Sequence, residues 1–232
     1  MDRVTHNSSF HLYWVLGLVF LLFASLAHAE ERPENMDLKA LLGQASQLQN
    51  RLDQNPSDYE ALRGLGTVYH SLALEDSKTY AKKAVQYLEH AHQKRIDDHV
   101  VLCYLGSAYT LLAKDAGNPM DQMSYVNKGV EYMDKAVRKD TDNITDYITI
   151  RLTRANNSMR LPKFLNRRPT AYEDFEHLAS LFEKGLKVPS QLRISVYRSL
   201  AALYKEDGQG AKAQKYQTMA ETVQKERGYG SY

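Results

Sequence analysis

The sequence predicts an all-α chain built from a repeated helix pair, and three observations carry that prediction. The phrase Leu65-Gly66-Thr67-Val68-Tyr69 returns forty residues later as Leu105-Gly106-Ser107-Ala108-Tyr109, and again, blurred, as Leu200-Ala201-Ala202-Leu203-Tyr204. Its large residue and its tyrosine stand four apart, one above the other on a helix face, with a very small residue beside them where another helix can approach closely. Elsewhere apolar residues recur at helical spacing, and no stretch alternates with the period of a strand. Self-similarity on this scale is the mark of a repeat array.

The elements follow in order. Asn35 can cap a helix from Met36 to about Leu52, striped by Leu38, Leu41, Leu42, Ala45, Leu48 and Leu52 and ended by Asn55-Pro56. The first pair opens on Ser57 or Asp58 as cap. Its first helix carries Leu62, Leu65, Gly66, Tyr69 and Leu72; its second, after the break at Glu75-Asp76-Ser77, carries Tyr80, Ala84, Tyr87, Leu88 and Ala91. The second pair opens on Asp97 or Asp98, with Val101, Leu102, Leu105, Gly106 and Tyr109 on one helix and Tyr125, Gly129, Tyr132, Met133 and Ala136 on the next. Between them Lys114 to Asp121 reads as a loop, with Gly117 and Pro119 as breakers. The third pair is degenerate: Tyr147, Ile150 and Ala155 on one helix, a long loop from Asn156 to Thr170, then Tyr172, Phe175, Leu178, Leu181, Phe182 and Gly185. The fourth is compact, with Leu192, Val196, Tyr197, Leu200, Ala201 and Tyr204 before Gly208-Gln209-Gly210, and Ala213, Tyr216, Met219, Ala220 and Val223 after it. Lys225 onward reads as a frayed tail.

Leu-Gly-x-x-Tyr followed by a second helix with small residues seven apart resembles the tetratricopeptide repeat family. The second-helix set is Ala84, Leu88 and Ala91, then Gly129, Met133 and Ala136, then Leu178, Phe182 and Gly185, then Ala213, Gln217 and Ala220. Asn55-Pro56 and Val188-Pro189 stand where that family places its junction proline. The resemblance covers residues 55–224 and implies a right-handed α-solenoid of three to four antiparallel helix pairs. Residues 30–54 would then be a leader and capping helix, and residues 225–232 a flexible tail. Gly66 and Ala84 are 18 apart and Gly106 and Gly129 are 23 apart, against 12 for Ala201 and Ala213, so the first two pairs have longer helices or longer loops. Arg151 and Arg154 occupy the third pair's small-residue and tyrosine positions.

The first 29 residues have the three parts of a secretory signal: a polar start with Arg3, the apolar run Leu12 to Leu26, and Ala27-His28-Ala29 before Glu30. Cleavage after Ala29 would send the body to the periplasm or outside the cell; the alternative is an uncleaved anchor over residues 12–29, the one route to membrane association. A net charge of +2 points to no nucleic-acid partner. One cysteine, Cys103, excludes an internal disulfide, and its apolar neighbours Leu102 and Tyr104 make it a buried hydrophobe. His90 and His92 diverge around their helix and cannot chelate one metal. There is no G-x-S-x-G, no P-loop and no G-x-G-x-x-G, so no catalytic, cofactor or metal residue is assigned.

The expected function is therefore non-enzymatic binding of a protein or peptide partner, as a scaffold or assembly subunit of an envelope complex. The alternatives are a self-associating structural solenoid and an accessory subunit of an envelope enzyme. Two sets of residues are candidates for the partner surface. One is the basic run Arg151, Arg154, Arg160, Lys163, Arg167 and Arg168, which spans Tyr147 to Tyr172 without a single acid and suits carboxylate or phosphate recognition. The other is implied by the resemblance, in which first helices line a peptide-binding face: Glu60, Arg63, Thr67 and His70, then Cys103, Ser107 and Thr110, then Arg198, Ala202 and Lys205.

Overall fold

The computed structural model describes residues 34–138 and 141–229, with side chains from 38 to 138 and from 141 to 226. The apolar run Leu12–Leu26 and its cleavage site lie outside the described residues, and among those described no helix is long and apolar enough to cross a membrane. The described residues are all-helical, without strands: α1 Glu34–Gln54, α2 Tyr59–Glu75, α3 Ser77–Lys94, α4 His99–Ala113, α5 Pro119–Val137, α6 Ile144–Arg160, a 3₁₀ turn at Lys163–Leu165, α7 Arg168–Glu183, α8 Ser190–Glu206 and α9 Gly210–Tyr229. The chain divides into two compact units, Met1–Ile150 and Arg151–Tyr232, with α6 running across the division.

Aspartates start α2, α3 and α4, and asparagines start α5 and α6, where Asn143 accepts from the Thr145 and Asp146 amides. Asp58 accepts from the Ala61 amide at 3.1 Å, Asp98 from Val101 at 2.9 Å and Asn118 from Asp121 at 2.9 Å, each removing an orphan donor at the helix start. Asp76 ends α2, its amide donating to the Leu72 carbonyl, and starts α3, its carboxylate accepting from Thr79 at 3.1 Å. A one-residue joint folds α3 back on α2. In the second unit, Gly185 and Gly208 take φ of 96° and 72° just past the ends of α7 and α8, a left-handed geometry glycine adopts without strain.

The core of the first unit centres on α4, which packs against α2, α3 and α5 and is buried nearly all round from Val100 to Leu111. α1 packs along α2, with Leu41, Ala45 and Leu52 buried and Leu48 against Gly64. In the second unit α8 is central, touching α7 and α9. The helices of the first two pairs are no longer than those of the compact fourth, and the wide spacing arises because Gly66, Ala84 and Gly129 stand deep within their helices while Ala201 and Ala213 stand close to the turn between α8 and α9.

Five expectations are corrected. Asn35 lies inside α1 rather than capping it. Pro119 starts α5 instead of breaking the chain, because the first helical position needs no amide donor, so the loop ends at Asn118. The long loop Asn156–Thr170 shrinks to a short turn, since α6 continues through the polar residues to Arg160 and Pro169 sits in the first turn of α7. Gly185 lies beyond the end of α7, and the buried set at 0, +4 and +7 is Ala171, Phe175 and Leu178. The tail is helical as far as Tyr229.

Candidate functional site

Three pairs share one packing device at equivalent positions. The first-helix tyrosine meets a second-helix tyrosine three residues past the small residue: Tyr69 with Tyr87 at 5.6 Å between ring centroids, Tyr109 with Tyr132 at 6.0 Å, Tyr204 with Tyr216 at 5.8 Å. The lysine just before the small residue lies over the first-helix ring, Lys83 at 5.3 Å, Lys128 at 4.1 Å and Lys212 at 4.8 Å. Each such cation–ring contact is worth about 0.5–1 kcal/mol near a surface. The first-helix tyrosine then reaches a glutamate on the preceding helix five residues past its small residue: Tyr109 donates to Glu89, and Tyr204 to Glu176. Ala84, Ala91, Gly129, Ala136, Ala201 and Ala220 are all buried around these contacts, with Leu65 and Leu105, and Ala213 is half-buried.

The third pair uses the same positions with different chemistry. Arg151 and Arg154 stand for the small residue and the tyrosine, and Asp174, three past Ala171, stands for the second tyrosine. Arg154 grips Asp174 bidentately, Nε to Oδ2 at 2.7 Å and Nη2 to Oδ1 at 2.9 Å, and Arg151 Nη1 reaches Oδ1 at 2.8 Å. Arg154 also holds the exposed Glu173 at 3.2 Å. Asp174 is 0% exposed. Burial pushes its carboxyl up, and the bidentate bond and charge of Arg154, with the charge of Arg151, pull it back. Where the other pairs bring two tyrosines together, α6 and α7 meet through a buried ion pair.

Most of the remaining basic residues are also engaged. Arg168 binds Glu206 at 2.9 Å and Asp207 at 3.0 Å. Arg63 lies 3.4 Å from Asp98 and 4.0 Å from Glu60. Arg160 is exposed and Arg167 half-buried beside the 3₁₀ turn, and Lys163 is exposed on it.

The face implied for the first helices is closed in the first unit at His70, Cys103, Ser107 and Thr110, while Glu60 is exposed and Arg63 half-buried. His70 is 1% exposed and its Nε2 meets Ser107 Oγ at 2.8 Å, with the Tyr104 ring in T-shaped contact with the imidazole at 5.1 Å between centroids. A serine within reach of a histidine is the geometry a nucleophile and base need, but both groups are core residues between α2 and α4. Cys103 is buried, its thiol 3.5 Å from the Ile150 carbonyl, and Thr110 is buried with its methyl toward Gly129. Thr67 is half-buried and donates to the Gly64 carbonyl at 2.9 Å. Among the described residues no group of three His, Cys, Asp or Glu could hold a metal ion.

In the second unit the face is open. Along α8, Gln191, Ser195, Arg198, Ala202 and Lys205 follow one another at steps of four and three and are exposed or half-exposed, while Leu192, Val196, Tyr197, Leu200 and Leu203 are buried. Arg198 donates to the Gln224 side chain on α9 at 2.8 Å. Neither Arg198 nor Lys205 forms an ion pair with a described residue. Two cations seven apart, with the half-buried Ala202 between them, stand on the outward side of α8, where Arg198 reaches α9.

The tyrosine contacts make stability depend on pH at the alkaline end. Burial, and then the Glu89 carboxylate, push the Tyr109 hydroxyl up to about 12, and burial with Asp207 does the same to Tyr172. A folded value above the ordinary tyrosine value means the protonated form is favoured on folding; its contribution is complete below about pH 10 and is lost as pH rises through about 12. The melting temperature should therefore fall across that interval, and Tyr109→Phe should flatten part of the fall.

No protein-family model, no curated protein and no solved structure matches this chain.

Proposed function

We propose that this chain is a non-enzymatic protein-binding module, a tetratricopeptide-like right-handed α-solenoid of the cell envelope, which captures an acidic segment of a partner protein on the α8 face. The leader and α1 would cap the repeat region 55–224. The observation that carries the reading is the contrast between arginines. Arg63, Arg151, Arg154 and Arg168 are held by carboxylates within the protein, whereas Arg198 and Lys205 face outward without a described acid. Cations placed this way steer and orient an acidic partner more than they add raw affinity. The recurrence of the tyrosine, lysine and small-residue positions supports the repeat reading, and the exposed polar Gln217 on α9, at the position where Leu88 and Met133 are buried, suits the last helix of an array.

The test is a photo-crosslinking amino acid at Ala202 in the full chain, exposed to the native envelope. A partner adduct should form, and should be lost when Arg198→Glu and Lys205→Glu are added; an adduct indifferent to the charge reversal contradicts the reading. Self-association is the second reading, favoured by Leu38 and Leu42, which lie exposed four apart on α1. Homodimer adducts in place of a second protein would point to it.

A further inference from the structure

The turn between α6 and α7 projects an aromatic ring that the helix packing does not use. Pro162 opens it, hydrogen bonds from the Leu165 amide to the Pro162 carbonyl and from the Asn166 amide to the Lys163 carbonyl close it, both at 3.0 Å, and Asn166 at φ 51° turns the chain into α7. Asparagine tolerates that left-handed geometry. The backbone of the tip is thereby fixed. On it Phe164 is 75% exposed, flanked by exposed Lys163 and half-buried Leu165. Arg160 and Arg167 stand on either side, and no acid occurs between Tyr147 and Tyr172. Lys163 forms no ion pair with a described residue.

Pro162, Lys163, Phe164 and Asn166 are all exposed, so the feature is convex and encloses nothing. A convex tip carrying one aromatic ring and a collar of cations is complementary to a surface that admits the ring between its headgroups and balances the charge with phosphates. Aromatic side chains settle at that depth of a bilayer, and basic residues beside them are drawn to anionic lipid. We propose that the Phe164 tip is a membrane-interface wedge for anionic phospholipid, with the ring among the headgroups and Lys163 at phosphate level. The wedge shares no residue with the α8 face, and either can fail without the other. One ring and a few cations bind weakly, so the contact has to be read locally.

The full chain with Trp14→Phe and Phe164→Trp carries its only tryptophan on the tip. With phosphatidylglycerol vesicles its emission should shift to the blue and be quenched by brominated acyl chains, and with phosphatidylcholine vesicles it should not. Adding Lys163→Glu should raise the lipid concentration needed by about fivefold or more, since one basic residue near an anionic surface is worth about 1 kcal/mol. Emission unchanged by phosphatidylglycerol overturns the proposal. So does a shift produced by soluble polyglutamate and not by vesicles, which would assign the tip to an acidic protein partner.

Discussion

Gly106→Leu is expected to destabilise the chain by about 3 kcal/mol, the upper end of the usual overpacking range. A Cβ on Gly106 would lie 2.5 Å from the Gly129 carbonyl oxygen, 2.9 Å from Met133 Cγ and 3.0 Å from the Met133 amide. A Cβ on Gly129 would in turn lie 2.5 Å from the Gly106 carbonyl oxygen and 2.6 Å from Thr110 Cγ2. Two of the three atoms facing Gly106 are backbone, so no rotamer change relieves the clash and α4 must move off α5. The sign for alanine is more telling than the size for leucine. In a helix interior Gly→Ala normally gains about 1 kcal/mol, and at Gly43 of α1, with nothing within 4 Å of its Cβ, it should do so. Gly106→Ala should be destabilising instead. Urea unfolding of the two variants separates the cases, and a Gly106→Ala chain stabilised like Gly43→Ala would contradict this packing.

Asp174→Ala should cost about 3–5 kcal/mol, the range for removing one partner of a buried ion pair. The loss would come less from the contact than from Arg151 and Arg154 keeping their charges inside the protein with the central carboxylate gone. Glu173 is exposed and takes only part of their hydrogen bonding. Far-UV dichroism should remain helical while the urea midpoint drops; a change within about 1 kcal/mol, as for an exposed ion pair, would mean Asp174 is dispensable.

Much of the helical order was legible because its causes are local. Caps at Asp58 and Asp98, the break at Asp76 and the apolar stripes need only neighbouring residues, and the facing of Gly106 and Gly129 follows from two small residues in equivalent places. The errors fall where a residue type has two uses. Pro119 read as a breaker and Pro169 fell in the expected long loop, yet both stand in the first turn of a helix, because proline's missing amide is harmless only at the first helical positions. His70, Ser107 and Thr110 read as a polar open face, yet α4 is packed on several sides, and nothing local to a helix reveals how many neighbours surround it. Gly185 read as the small helical residue of the third pair because Arg151 and Arg154 hid the true register. Only the contact with Asp174, twenty residues beyond Arg154, identifies the matching positions. The outward side of α8 was partly legible, since Arg198, Ala202 and Lys205 share a face by spacing alone; their freedom from acids within the described residues was not.

If the third pair is the same unit as the others, its ion pair takes the place of their paired tyrosines. The direct measurement is urea unfolding of the triple variant Arg151→Gly, Arg154→Tyr and Asp174→Tyr, which writes the phrase of the other pairs into the third. Exchange of a buried ion pair for well-packed side chains is commonly neutral or stabilising, so the triple variant should recover to within about 1 kcal/mol of the parent, where Asp174→Ala alone does not. A triple variant as unstable as Asp174→Ala would show that these positions are not equivalent and that the third pair is built on another plan.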